Sequence, residues 1–312
     1  MVHGEINMKL YLAGLYTSNF TMQSQQYLRC DPREQEARRG IKHYLESYHY
    51  IHRQAHVDRI RTDNVKVFLD SGAFSAFTKG VEVDLPAYCR YIHDNMDIIE
   101  VVDGALCASV LDGIGDPLLT YQNQKAMEKL GVKPLPCFHY GEPEEYLEYY
   151  INNYSYITLG GMVPITTPQL RLWLDRLWDK YLTDGSGNPR IRVHGFGLTV
   201  LELMRRYPWY SVDSSSWVQI AANGNILVPG LGTIAASDSS PHRKVAGQHI
   251  DTIPEVQRQA LKERLAEQGF DLERMRTEYI SRWVYNCWAF THINETLMDK
   301  DFSFQRVQPE LF

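Results

Sequence analysis

Residues Val65 to Gly80 read VKVFLDSGAFSAFTKG. An apolar run ends in an acid, Asp70. Ser71, Gly72 and Ala73 follow with almost no bulk, and then Phe74. A short continuous apolar run bounded by turn residues reads as a buried strand of a parallel sheet. The acid at its end has two readings. It is a turn former whose carboxylate satisfies nearby backbone donors, or it is aimed at a substrate.

The same rhythm recurs along the chain. Apolar runs fall at Lys9 to Leu15, Val65 to Asp70, Asp97 to Val102, Ala105 to Asp112, Pro134 to Tyr140, Tyr156 to Gly161, Ile191 to Gly197 and Trp209 to Ser215. Helical patterns separate most of them, over residues 33–54, 116–131, 142–153, 167–182 and 199–208. Asp116 before Pro117 and Thr167 before Pro168 place a capping residue ahead of proline at a helix start. This alternation predicts an α/β fold, a (β/α)8 TIM-type barrel over residues 1–244. A doubly wound open sheet is the alternative. No helix separates 97–102 from 105–112, so one of the two is expected to be a hairpin insertion. Residues 245–312 read as long amphipathic helices, a C-terminal extension that closes the barrel or packs beside it.

The composition bounds the class. The chain has 312 residues, 44% of them hydrophobic, enough for a sizeable core. The net charge of −6 argues against a surface coated in positive charge and leaves room for a local basic groove. Cys30, Cys89, Cys107, Cys137 and Cys287 are scattered, odd in number and never in a CxxC pair. A disulfide framework or zinc knuckle is therefore not expected, and a reducing, cytoplasmic setting is. No apolar stretch reads as a signal peptide or a membrane span.

In a barrel the catalytic groups stand at the C-terminal ends of the strands. Those ends are Asp70, Asp112, His139, Gly160 and Gly161, His194, and Asp213. Singly, each has an ordinary structural reading: Asp as a cap, His as a hydrogen-bonded structural residue, Gly-Gly as a tight turn. Together they put three carboxylates and two histidines at one mouth. Phe74 adds an aromatic plate, and LGGMV (Leu159 to Val163) leaves bare amides. VHGFGLT (Val193 to Thr199) is a Gly-rich turn into a helix, suited to holding a phosphate. The set suits a flat, hydrogen-bonding heterocycle, with a nucleophile and a separate acid/base.

These segments resemble the tRNA-guanine transglycosylase superfamily. LDSGAF is similar to its DSGGF signature, and LGGMV to its base-binding Gly-Gly loop. VHGFGLTVLELMRRYPWYSVDSSSW resembles the segment running to its nucleophilic Asp. The order agrees across Val65 to Trp217. LDGIGDPLLTYQNQKAMEKLG and PCFHYGEPEEYLEYY look more like a compact phage-type branch associated with inserting 7-deazaguanine bases into DNA. The resemblance implies Asp213 as the nucleophile at C1′ and Asp70 as the acid/base for the ring proton of the base. It implies Asp112, with Asp116 as a secondary neighbour, reading the edge of the base. Gly160 and Gly161 would supply backbone contacts, and Phe74 and His194 would sandwich the ring. His139 lies where the cellular enzymes often carry Gln. Those enzymes also carry a CxCxxC…H zinc site after the nucleophile, whereas only Cys287 follows Asp213 here. No zinc subdomain, metal or other cofactor is therefore expected.

The expected partners are DNA, or tRNA in the alternative, and a free 7-deazaguanine such as 7-cyano-7-deazaguanine. A helper protein supplying DNA affinity would fit the acidic net charge. Two segments suit phosphate contact or stacking: Arg38 to Arg61, which mixes basic residues with tyrosines, and Ala236 to His249, which carries Arg243 and Lys244. Two rivals use the same residues. A retaining hydrolase or nucleosidase would release base without an incoming one, and a non-catalytic barrel would only bind the base.

Overall fold

The computed structural model describes residues 8–297 and residue 304. The chain divides into two compact units. Of the described residues, the first comprises 8–17, 43–214, 297 and 304, and the second 18–42 and 215–296. The expected boundary after residue 244 does not coincide with this division: the chain passes into the second unit directly after the strand that carries Asp213.

The first unit is built on a curled, seven-stranded, all-parallel sheet. Its strands are β1 (Lys9–Ala13), β2 (Tyr44–Ser47), β3 (Val67–Asp70), β6 (Cys137–His139), β7 (Tyr156–Gly160), β8 (Arg192–Gly195) and β9 (Ser211–Ser214). Between β3 and β6 lies a two-residue hairpin, β4 (Val101–Val102) with β5 (Ala105–Leu106). The sheet order is β3-β2-β1-β9-β8-β7-β6. Instead of one run forming an insertion, the hairpin joins the last two residues of the first run to the first two of the second. Beyond it, one-residue parallel bridges join Leu69 to Ala108 and Ser109 to Leu135, where an eighth strand was expected.

Helices follow the strands where their patterns predict at Pro117–Lys129, Glu144–Asn153, Thr167–Leu177 and Leu201–Arg206, and two more, Ala73–Thr78 and Leu85–Asp94, lie where no helix was read. The helical reading of residues 33–54 is corrected. A helix covers Pro32–Arg39, but Tyr44–Ser47 is β2, paired in parallel with both β1 and β3. Glu46 makes this segment look like a helix surface, yet it is fully buried. Its carboxylate accepts the backbone N–H of Tyr16 at 2.6 Å and the Thr17 hydroxyl at 2.8 Å. A buried carboxylate with such charge-assisted donors is compatible with a core strand.

Inside the curl, Tyr11, Leu45, Phe68, Val102, Cys107, Leu135 and Tyr156 form one buried cluster. Each large apolar side chain taken fully from water contributes roughly 1.5–3 kcal/mol. Glu100 ties down the phenol of Tyr11 at 2.7 Å and the ammonium of Lys9 at 2.6 Å.

The second unit is mainly helical, with one antiparallel hairpin, β10 (Asn225–Val228) and β11 (Gly232–Ala235). Helices Glu255–Glu267, Leu272–Thr277 and Tyr279–Leu297 confirm the helical reading of the C-terminal part. The helix Pro32–Arg39 begins with a capping box between Asp31 and Glu34, and Arg274 bonds Glu34 at 2.9 Å. Among the described residues no helix is long and apolar enough to cross a membrane. All five cysteines are buried free thiols.

Candidate active site at the C-terminal strand ends

Because every strand of the sheet runs the same way, their C-terminal ends share one edge. Register fixes who meets whom there. Ser47 pairs with Asp70, His139 with Gly160, and Tyr11 with Asp213.

Asp70 fits the first reading of its position, the turn former. One carboxylate oxygen accepts the Gly72 N–H at 3.1 Å, an Asx turn that closes β3. Gly72 sits at φ +76°, and a Cβ there would collide with the Ser47 hydroxyl and lie 2.5 Å from His49 Cβ. Small residues are thus required behind the acid. The carboxyl is also pushed up to about 7, first by burial and then by the negative charges of Asp112 and Asp213. Asp112 and Asp213, from separate segments, therefore both bear on Asp70 at this edge.

Asp213 is 6% exposed. Its Oδ1 accepts the Gly197 N–H at 2.8 Å and lies 3.3 Å from His194 Nε2. Behind it runs a buried chain that was not anticipated. His194 Nδ1 is 2.7 Å from Ser211 Oγ, which is 2.6 Å from the Tyr156 hydroxyl. Gly197 was expected to help hold a phosphate; its amide is instead committed to Asp213.

His194 does not stand where a base could stack. It is fully buried, stacked on Phe68 with centroids 4.5 Å apart, and edge-on to Phe196 at 4.6 Å. Its place in the strand turns it into the sheet's interior, so it supports Asp213 rather than sandwiching a ligand. Phe74, by contrast, is 61% exposed on the helix that follows Asp70. Asp116 is corrected too. It is an exposed N-cap accepting Leu119 N–H at 3.0 Å, so its role here is to start a helix.

His139 is held tightly. Its backbone N–H donates to one oxygen of Glu142 at 2.9 Å, and its Nδ1 lies 2.9 Å from the other. Its Nε2 lies 3.4 Å from Cys137 Sγ and 3.6 Å from Asp112 Oδ1. Burial opposes its charge, but Cys137 and Asp112 outweigh that and raise its pKa. Burial, with Asp112 second, pushes the Cys137 thiol up to about 11. Gly160 lets this cluster close up: a Cβ there would lie 2.8 Å from His139 Cδ2 and 3.0 Å from Cys137 Sγ. The Gly160 carbonyl accepts Tyr140 N–H at 3.1 Å, whereas Gly161, at φ +68°, is exposed.

Arg243 and Lys244 belong to the second unit and are exposed. Arg243 lies 3.6 Å from both Asp238 and Asp251, so much of its charge is already answered. Cys137, Glu142, Ser211 and Tyr156 escaped the sequence reading. The i, i+2 spacing of Cys137 and His139, which puts both on one face of a strand, was the available signal.

Neither a scan of protein-family models nor a search of curated proteins returns a match to this chain.

Proposed function

We propose that the chain is a base-exchange transglycosylase that replaces guanine in a nucleic acid, DNA by preference, with a 7-deazaguanine. In this reading the segment bridging Leu69 and Leu135 completes a (β/α)8-type barrel. The observation that carries the reading is the pairing of two unlike acids at one sheet edge. Asp213 is anchored by a backbone amide and backed by a histidine. Asp70 titrates near neutrality because burial and two other carboxylates oppose its ionisation.

The chemistry divides accordingly. Asp213 attacks C1′, the C1′–N9 bond breaks, and Asp70 supplies the proton that guanine takes as it leaves. In the second half the incoming base gives its ring proton back to Asp70. Its nitrogen bonds C1′, and the ester to Asp213 breaks. No other reactant is consumed. Two displacements through a glycosyl ester replace one hard exchange, as in retaining glycosidases. A carboxylate beneath C1′ also stabilises the oxocarbenium-like transition state. An acid with a value of about 7 suits a group that must both give and take a proton at neutral pH. The target base must leave the helical stack, and exposed Phe74 offers a face to receive it.

The test is release of radiolabelled guanine from duplex DNA and from tRNA, with 7-cyano-7-deazaguanine supplied. Release from DNA that needs the added base and disappears in Asp213→Ala supports the proposal. Release without added base indicates a nucleosidase, and release only from tRNA moves the substrate to RNA. No release from either by folded protein overturns stand-alone exchange.

A further inference from the structure

We propose that Asp112, Cys137 and His139 form a binding site for a transition-metal dication of the zinc class. The inference stands on this donor set alone and does not depend on base exchange.

One oxygen, one sulfur and one nitrogen from these residues lie within 4.8 Å of one another. The two spacings from His139 Nε2, 3.4 Å to Cys137 Sγ and 3.6 Å to Asp112 Oδ1, are close to those between ligands on a tetrahedral ion with bonds of about 2.0–2.3 Å. A second observation points the same way. Asp112 Oδ1 is buried and makes no hydrogen bond, and among the described residues the one cationic group close to it is His139, with Nε2 3.6 Å away. A buried carboxylate oxygen is ordinarily paired or bound to a metal.

The outer contacts are those of a ligating histidine. Glu142 takes both the backbone N–H and the Nδ1 side of His139. That contact holds a ring proton on Nδ1; the proton that Nε2 carries beside Cys137 and Asp112 in the ion-free protein would leave on metal binding and free that nitrogen as a ligand. A carboxylate behind the imidazole is the usual way a metal ligand is oriented. Gly160 keeps the space beside these atoms free of a side chain.

The donor types select the ion. Thiolate and imidazole with one carboxylate suit zinc or cobalt, whereas magnesium and calcium favour oxygen-only sites. Three protein ligands leave one position of a tetrahedral ion for an oxygen or nitrogen of a small ligand. Under base exchange, Asp112 and His139 would then meet the base through the ion rather than directly.

The experiment uses the full chain, stripped with a chelator and titrated with cobalt(II) and with zinc(II). Bound metal is measured by atomic emission, and thiolate coordination by the cobalt–sulfur charge-transfer absorption. The expected result is one ion per chain with that absorption. Cys137→Ser should lose the absorption, Asp112→Asn should lose most of the affinity, and Cys89→Ala, a buried cysteine outside the cluster, should retain both. Glu142→Gln should weaken zinc about ten- to hundredfold, the usual effect of removing such an orienting partner. The proposal is overturned if folded wild-type protein retains no stoichiometric ion at micromolar zinc. It is equally overturned if the absorption survives in Cys137→Ser or Asp112→Asn binds like wild type.

Discussion

Replacing Asp70 by Asn should stabilise the protein, and increasingly so as pH rises. The folded state holds the Asp70 proton more tightly than an unfolded chain does, because burial and the charges of Asp112 and Asp213 raise its value to about 7. For a carboxyl shifted upward, stability is greatest below the unfolded value near 4 and is lost as pH rises towards the folded value. Against that unfolded reference, Asp70 costs the fold about 1.5 kcal/mol at pH 5 and about 4 kcal/mol at pH 8. Asn keeps the shape but does not ionise. The stability difference between Asp70→Asn and wild type should therefore widen by about 2.5 kcal/mol between pH 5 and pH 8. Titrating groups that do not interact with Asp70 cancel from that difference, and Asp112 and Asp213, which do, leave the direction of the change unaltered. The assay is urea unfolding of both chelator-treated proteins at the two pH values. A difference that does not change with pH would mean that Asp70 titrates as an ordinary carboxyl, and the reasoning from its three-acid setting would fail.

Further outcomes follow from the same edge. Gly72→Ala should cost roughly 2 kcal/mol or more, because it adds a Cβ at φ +76° against Ser47 and His49; thermal unfolding measures it. Ser211→Ala strands both His194 Nδ1 and the Tyr156 hydroxyl in the core, for a loss of about 2–3 kcal/mol. If exchange activity is found, that variant should lower kcat more than KM. In the second unit, Asp31→Ala removes the capping box of the helix Pro32–Arg39 and should cost about 1 kcal/mol in a denaturant midpoint series.

The strand ends were legible because a parallel sheet signals itself locally, as an apolar run and then a turn. Val65 to Gly80 carried its strand and its Asx turn in one stretch, whereas the short helix Ala73–Thr78 was not read there. What sequence could not show was set by partners far along the chain. β2 hid because Glu46 looks solvent-facing until Tyr16 and Thr17 come round to satisfy it. The expected eighth strand dwindled to two one-residue bridges, since the hairpin takes the first two residues of its run. His194 was placed on a base because strand register alone decides which way it turns, and VHGFG is apolar or small on both sides. Cys137 drew no notice because, of its two close polar neighbours, only His139 is near in sequence and Asp112 comes in from another segment. Asp116 was overread, as its capping geometry with Pro117 was already sufficient reason for it.

The division of the chain has a consequence for how it is made. Residues 18–42 lie between β1 and β2 in sequence, yet they pack with residues 215–296. Arg274 reaches back 240 residues to Glu34, and Glu278 reaches 249 residues to Arg29. A growing chain emerging from the ribosome must therefore carry its early helix unpartnered while nearly the whole sheet is synthesised. Contacts of such separation close late and slowly. The early helix will be the segment most open to a protease or a chaperone during translation.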